Sequence, residues 1–215
     1  HPIQLTSILY VVQRMTSLSA FFLLLALLFH VAARRREEPD RVAVISLLLA
    51  WCVFWPLSLL SKETGVLLPG FVAAYELIVR RRERDSLDRF GRAVLYVSIA
   101  LAAGLIPYLA SPYGNWILSG YGIRPFSLVE RLLTEARVIW GYLYWIAWPR
   151  LESFALFHDD IALSTGLIAP WTTLPAIAGL LLLSIISVAG SRRFPLVSFA
   201  IAWFLIGHSL ESTFI

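Results

Sequence analysis

Leu57-Ser58-Leu59-Leu60-Ser61-Lys62-Glu63-Thr64-Gly65-Val66-Leu67-Leu68-Pro69 sets one Lys-Glu pair between two apolar runs, each long enough to cross a bilayer. Charge near membrane depth is expensive, so such residues sit in a polar cavity, pair with one another or do chemistry. Lys62-Glu63 also falls at the opposite end of its helix from the arginine clusters, and so marks a second polar face.

The whole chain agrees with that start. Of its 215 residues, 59% are hydrophobic and 15% are charged, well below the charge of a soluble domain. Apolar runs of about 17–20 residues are continuous rather than alternating, which suits helices crossing a core roughly 30 Å thick. The chain therefore reads as an all-α, polytopic helical membrane protein. The net charge of +4 does not point to nucleic acid, because the arginines lie in short clusters beside apolar runs, where they orient a membrane protein. Cys52 is the single cysteine. Neither a disulfide framework nor a thiolate metal site is available to it, and it reads as a small buried or lipid-facing hydrophobe.

In order, residues 1–14 form an amphipathic interfacial lead into a first span over 15–33, stopped by Arg34-Arg35-Arg36. His30, near that end, reads as interfacial. A second span covers 42–60, with Pro56 predicting a kink. A third covers 65–79 and ends at the basic stretch 80–84. A fourth covers 92–109. Residues 128–148 predict a helix whose four charges (Glu130, Arg131, Glu135, Arg137) disfavour spanning, while Trp140, Tyr142, Tyr144, Trp145 and Trp148 favour an interface. The last two spans cover 174–189 and 194–207, split by Arg192-Arg193.

Parity then sets the topology. If the arginine clusters are all cytoplasmic, six spans fit only when helix 128–148 stays on the outer face. The chain becomes one transmembrane domain over 1–215, with residues 110–173 as an extracytoplasmic loop region. His1, Gln4, Lys62-Glu63 and His208 through Glu211 then share the extracytoplasmic side.

Each polar candidate admits two readings. Lys62 could hold an anionic phosphate and Glu63 a hydroxyl or another base, or the two form a snorkelling pair that ends a helix. On a helix their side chains would diverge by about 100°. Arg14, Arg124, Arg131 and Arg137 could grip a lipid phosphate or serve bulk headgroups. His158-Asp159-Asp160 could bind a divalent metal, act as a base or cap a turn. His208 and Glu211, at i and i+3, form an acid/base or metal pair or a polar helix end. There is no zinc signature, phosphate-cradling glycine loop or nucleophile elbow.

Three segments carry a resemblance. His1-Pro2-Ile3-Gln4 with Val12-Gln13-Arg14-Met15-Thr16-Ser17-Leu18, Leu59-Leu60-Ser61-Lys62-Glu63 with Leu67-Leu68-Pro69 and Tyr75-Glu76, and Trp203 through Ser212 resemble large bacterial membrane proteins bearing C-terminal tetratricopeptide repeats. Those proteins are similar to the transmembrane-and-tetratricopeptide O-mannosyltransferases, of the C-type glycosyltransferase class. The resemblance implies inverting transfer of a sugar from a polyprenyl-phosphate donor to a protein or glycan acceptor at the outer face of the bacterial cytoplasmic membrane. It implies Arg14 and Lys62 at the donor phosphate, with Gln13, Glu63, His208 and Glu211 lining the site. On that reading His158, Asp159 and Asp160, which carry no part of the resemblance, would lie near the acceptor entrance, with a divalent metal as a possible cofactor. The general base would precede His1 and the repeats would follow Ile215, so the chain is expected to be an internal fragment. The contrasting expectation is a non-catalytic integral membrane subunit packed in a larger complex. A transporter would call for internal inverted repeats, which the sequence does not show.

Overall fold

The computed structural model describes residues 13–36, 40–80, 87–111, 121, 124–149 and 161–210. Among these the fold is all helical, with no strand. Helix α1 is Gln13–Arg34 and α2 is Arg41–Ser61. After a 3-10 turn, Glu63–Leu67, helix α3 runs over Leu68–Ala74 and continues as a π-helical stretch, Tyr75–Arg80. Then follow α4 (Arg89–Ala110), α5 (Leu128–Ala147), α6 (Thr173–Ala189) and α7 (Pro195–Ser209). The expected interfacial lead 1–12, the basic stretch 81–84, His158-Asp159-Asp160 and Glu211 lie outside the described residues.

Local chemistry places the helix starts. Asp40 caps α2, its Oδ1 accepting from the Ala43 N–H at 2.7 Å. Asp88 caps α4 by accepting from the Gly91 N–H at 2.9 Å. Ser127 and Glu130 form a reciprocal capping box at α5. Two prolines, Pro69 and Pro195, occupy first-turn positions of α3 and α7, where a missing N–H leaves no bond unmade. Pro56 has a different consequence. The helix continues through it, preceded by a π-helical stretch, Leu49–Phe54, in which the Trp55 N–H reaches back to the Ala50 carbonyl. Widening the helix there shifts the hydrogen-bond register just ahead of a residue that cannot donate.

Among the described residues three helices, Gln13–Arg34, Arg41–Ser61 and Thr173–Arg192, are long and apolar enough to cross a membrane; Pro195–Ser209 is apolar but shorter. Their side chains are arranged accordingly. On α1 the inward face carries Ser19, Leu23, Ala26, His30 and Arg34, while Leu18, Phe21, Leu24 and Leu28 are exposed. Water would drive that apolar stripe inward. A lipid solvent removes the drive and leaves small and polar residues to join helices. Cys52 is exposed on α2, the lipid-facing alternative of its sequence reading.

Helix order follows from cross-contacts. Ser19 of α1 meets Ser58 near the end of α2, so the two are antiparallel. Helix α3 returns alongside α1, and α4 turns back along α3, its Ser98 hydroxyl donating to the Pro69 carbonyl at 2.7 Å. Leu23, Ala26, Leu68, Phe71, Val72 and Val94 form the core between them. Helix α7 joins it by stacking Trp203 on Phe71, with ring centroids 4.0 Å apart. Helices α6 and α7 pair through Ser187, which donates to the Ser198 carbonyl at 2.8 Å.

Candidate functional site

Two polar layers interrupt this apolar packing. The first lies where the sequence placed its Lys-Glu pair. Ser61 ends α2, and Lys62 leaves the helix in an extended conformation, with φ −163° and ψ 152°. Lys62 thus stands outside the helix and Glu63 opens the 3-10 turn, at the break the sequence places between the spans 42–60 and 65–79: the chain turns back within five residues. The return is pinned by hydroxyls. Ser19 Oγ lies 3.0 Å from Ser58 Oγ and 3.2 Å from Thr64 Oγ1, while Ser58 Oγ donates to the Ser19 carbonyl at 2.9 Å. Trp55 Nε1 donates to the Gly65 carbonyl at 3.0 Å. Gly65 is needed for this closeness, since a Cβ there would stand 2.6 Å from the Leu59 nitrogen and 2.7 Å from the Ser58 carbonyl carbon.

This clasp decides where the sequence candidates fall. Gln13 and Arg14, both exposed, lie less than two turns from Ser19 along α1. Lys62 is half-buried and Glu63 exposed, beside Thr64. Helix α7 reaches the same end: Ile206 packs near Gly70, and the next turn carries half-buried His208, stacked on Tyr142 of α5 with centroids 5.3 Å apart. Residues 14, 62 and 208 thus come to one end of the helix bundle. Asp88 and the 3-10 turn Gly190–Arg192 lie towards the other, the former bonded to Arg34 and the latter packed against Tyr75–Arg80. Arg137 of α5 donates to the Ala162 carbonyl at 2.7 Å and reaches Ser164 Oγ at 3.3 Å.

The second layer lies about 22 Å away along α1, fifteen residues at helical rise. It was not expected. Arg34, read as a stop, is 9% exposed, and His30, read as interfacial, is fully buried. The correction has a physical cause in Glu76, at 1% exposure, which lies inside what the sequence reads as an apolar span. Arg34 Nε and Nη2 donate to the two Glu76 oxygens at 2.6 and 2.9 Å. Arg34 Nη1 and Nη2 donate to Asp88 at 2.7 and 2.6 Å. One planar guanidinium thus grips two carboxylates from two helices. Arg80 donates to the Arg34 carbonyl and stands 3.8 Å from Glu76.

His30 completes the layer. Trp51 Nε1 donates to His30 Nδ1 at 3.3 Å, which assigns the ring proton to Nε2, 3.2 Å from Glu76 Oε1. Phe90 covers both groups, stacked on His30 and 5.1 Å beneath the Arg34 guanidinium. Gly91 admits α4 to this spot, because a Cβ would lie 2.9 Å from Glu76 Oε2. The Arg34 guanidinium, with help from the Gly91 N–H, holds the Asp88 carboxyl down to about 2.

A signal for this layer exists in the sequence. His30 and Arg34 are i, i+4, as are Glu76 and Arg80, and each pair lies at the same end of an apolar run. Chemically the layer is a closed set: its acceptors face donors, and the guanidinium fills its centre. Among the described residues no group of three His, Cys, Asp or Glu could hold a metal ion. Comparison with known protein families, curated proteins and solved structures finds no match.

Proposed function

We propose that the chain is the membrane core of a C-type glycosyltransferase. It crosses the bacterial cytoplasmic membrane six times, keeps α5 at the outer face and takes a sugar from a polyprenyl-phosphate donor to a protein or glycan acceptor. Arg14 and Lys62 neutralise the donor phosphate as it leaves, an electrostatic contribution to lowering the barrier. Gln13, Glu63, His208 and Glu211 line the site, His158, Asp159 and Asp160 stand near the acceptor entrance with any divalent metal, and the general base comes from a segment N-terminal to His1. One observation supports this reading beyond the resemblance: residues 14, 62 and 208, distant in sequence, meet at one end of the bundle through the Ser19–Ser58–Thr64 clasp and the packing of Gly70 and Phe71 on α7.

The second reading, a non-catalytic subunit of a larger complex, draws on a different observation. His30, Arg34, Glu76 and Arg80, the buried ionisable side chains among the described residues, bind one another. Polyprenyl-phosphate binding to the purified protein in lipid nanodiscs separates the readings. Arg14→Ala and Lys62→Ala should each weaken binding about tenfold, the effect of losing one hydrogen bond to a charged group, with the unfolding temperature retained. Wild-type binding by both variants would remove the donor assignment and favour the subunit.

A further inference from the structure

Outside both layers, a cavity of about 450 Å³ opens between α5 and the start of α6, lined by Arg137, Trp140, Thr172, Pro175 and Ala176. Its size falls in the range of small-molecule sites. It is built rather than incidental. Arg137 is held by Nη1 on the Ala162 carbonyl and Ser164 Oγ, and its Nε and Nη2 make no hydrogen bond among the described residues. Ser164 is fixed in turn, its N–H donating to Thr134 Oγ1 at 2.9 Å and its hydroxyl 3.0 Å from Thr173 Oγ1. Trp140 is locked by donating Nε1 to the Ala176 carbonyl at 3.0 Å, and its ring fills the space that Gly179 leaves: a Cβ there would meet Cζ2 at 2.6 Å.

Thr172 is the anomaly. Its Oγ1 is the one buried side-chain nitrogen or oxygen without a hydrogen-bond partner among the described residues. It stands at the N-cap of α6 yet makes no capping bond. A buried hydroxyl without a partner is costly and calls for an explanation. Here Thr172 and Arg137, whose guanidinium keeps donors unbonded among the described residues, line the same cavity, and a hydroxyl beside a guanidinium is a phosphate-binding chemistry. The surroundings specify the source. Leu163, Leu167, Ile168, Trp171 and Leu174, all exposed, lie in the chain that leads from Ala162 into the start of this span-length helix. An apolar, tryptophan-bearing fringe of that kind belongs at headgroup level.

We infer that this cavity binds the phosphate group of a membrane lipid, with Arg137 and Thr172 as donors and Trp140, Pro175 and Ala176 as the apolar wall beside its glycerol. Neither Arg14 nor Lys62 lines this cavity, and the inference does not rest on the sugar-transfer reading. Native mass spectrometry of the detergent-solubilised protein tests it, with dioctanoyl phosphatidic acid, dioctanoylglycerol and inorganic phosphate as probes. Phosphatidic acid should bind at one saturable site, and dioctanoylglycerol and inorganic phosphate at least about tenfold more weakly. Thr172→Val is the decisive variant, since it removes a hydroxyl that no group among the described residues uses. It should leave the lipid-free unfolding temperature unchanged or higher and weaken phosphatidic acid binding severalfold, with Arg137→Lys weakening it further. Wild-type affinity in Thr172→Val, or equal binding of dioctanoylglycerol, would overturn the site. Equal binding of inorganic phosphate would overturn the lipid as its ligand.

Discussion

The two polar layers join the same helices by opposite means. At the Lys62 end, α1, α2 and the returning chain meet through neutral hydroxyls and a glycine, with the charged residues 14, 62 and 63 left at the periphery. At the Arg34 end, full charges are buried and each is answered by another. The neutral clasp allows close approach without burying a charge between the helices. The ionic layer spends its charges on one another and fixes which helices pair. In a bilayer a helix bundle lacks a hydrophobic drive for association, and there both devices would supply specificity, the first with hydroxyls and the second with charge.

The difference has measurable consequences. The largest effect is expected from Arg34→Ala, which strands Glu76 and Asp88 together; breaking a buried pair costs about 3–5 kcal/mol, read as a large fall in the midpoint of SDS or thermal unfolding. Gly65→Ala should come next, at about 1–3 kcal/mol for overpacking, because the new methyl meets backbone at 2.6–2.7 Å. Ser19→Ala should cost about 1 kcal/mol, the net worth of a typical hydrogen bond. An equal loss in all three would erase the distinction between the layers.

The smallest effect is a pH dependence. Asp88 is capped by Arg34 and sits well below the usual carboxylate range, at about 2. A depressed carboxyl stabilises the fold above its unfolded value, near 3.8, and that contribution disappears as pH falls towards 2. Its side chain is 43% exposed, so solvent screens much of the gain. The stability of wild type should therefore fall slightly more than that of Asp88→Asn between about pH 4 and pH 2. A parallel decline of the two proteins would show that Asp88 contributes nothing through its charge.

Much of the helical layout is legible in the sequence. The span read over 15–33 is Gln13–Arg34, that over 42–60 is Arg41–Ser61, and the charged helix read over 128–148 is Leu128–Ala147. Apolar run length and capping residues determine these, and both are local. What was not legible depends on neighbours distant in the chain. His30 and Arg34 resemble an ordinary helix end until Glu76 and Asp88 arrive, 46 residues from His30 and 54 from Arg34 respectively. The break over 61–64 is legible as the gap between two apolar runs, but the contacts of Ser19 with Ser58 and Thr64 that pin it are encoded by no local propensity. Thr172 is likewise silent in sequence, because a threonine before a helix usually caps it.

Charge at the Arg34 end joins the helices, and we propose that charge at the Lys62 end meets a ligand. The most direct measurement compares Lys62→Ala with Glu76→Gln, scoring polyprenyl-phosphate binding and unfolding temperature on the same preparations. The account predicts a crossed result: Lys62→Ala keeps its unfolding temperature and loses binding, whereas Glu76→Gln loses unfolding temperature and, where still folded, keeps binding. Lys62→Ala that binds as wild type, or Glu76→Gln that is as stable as wild type, would contradict it.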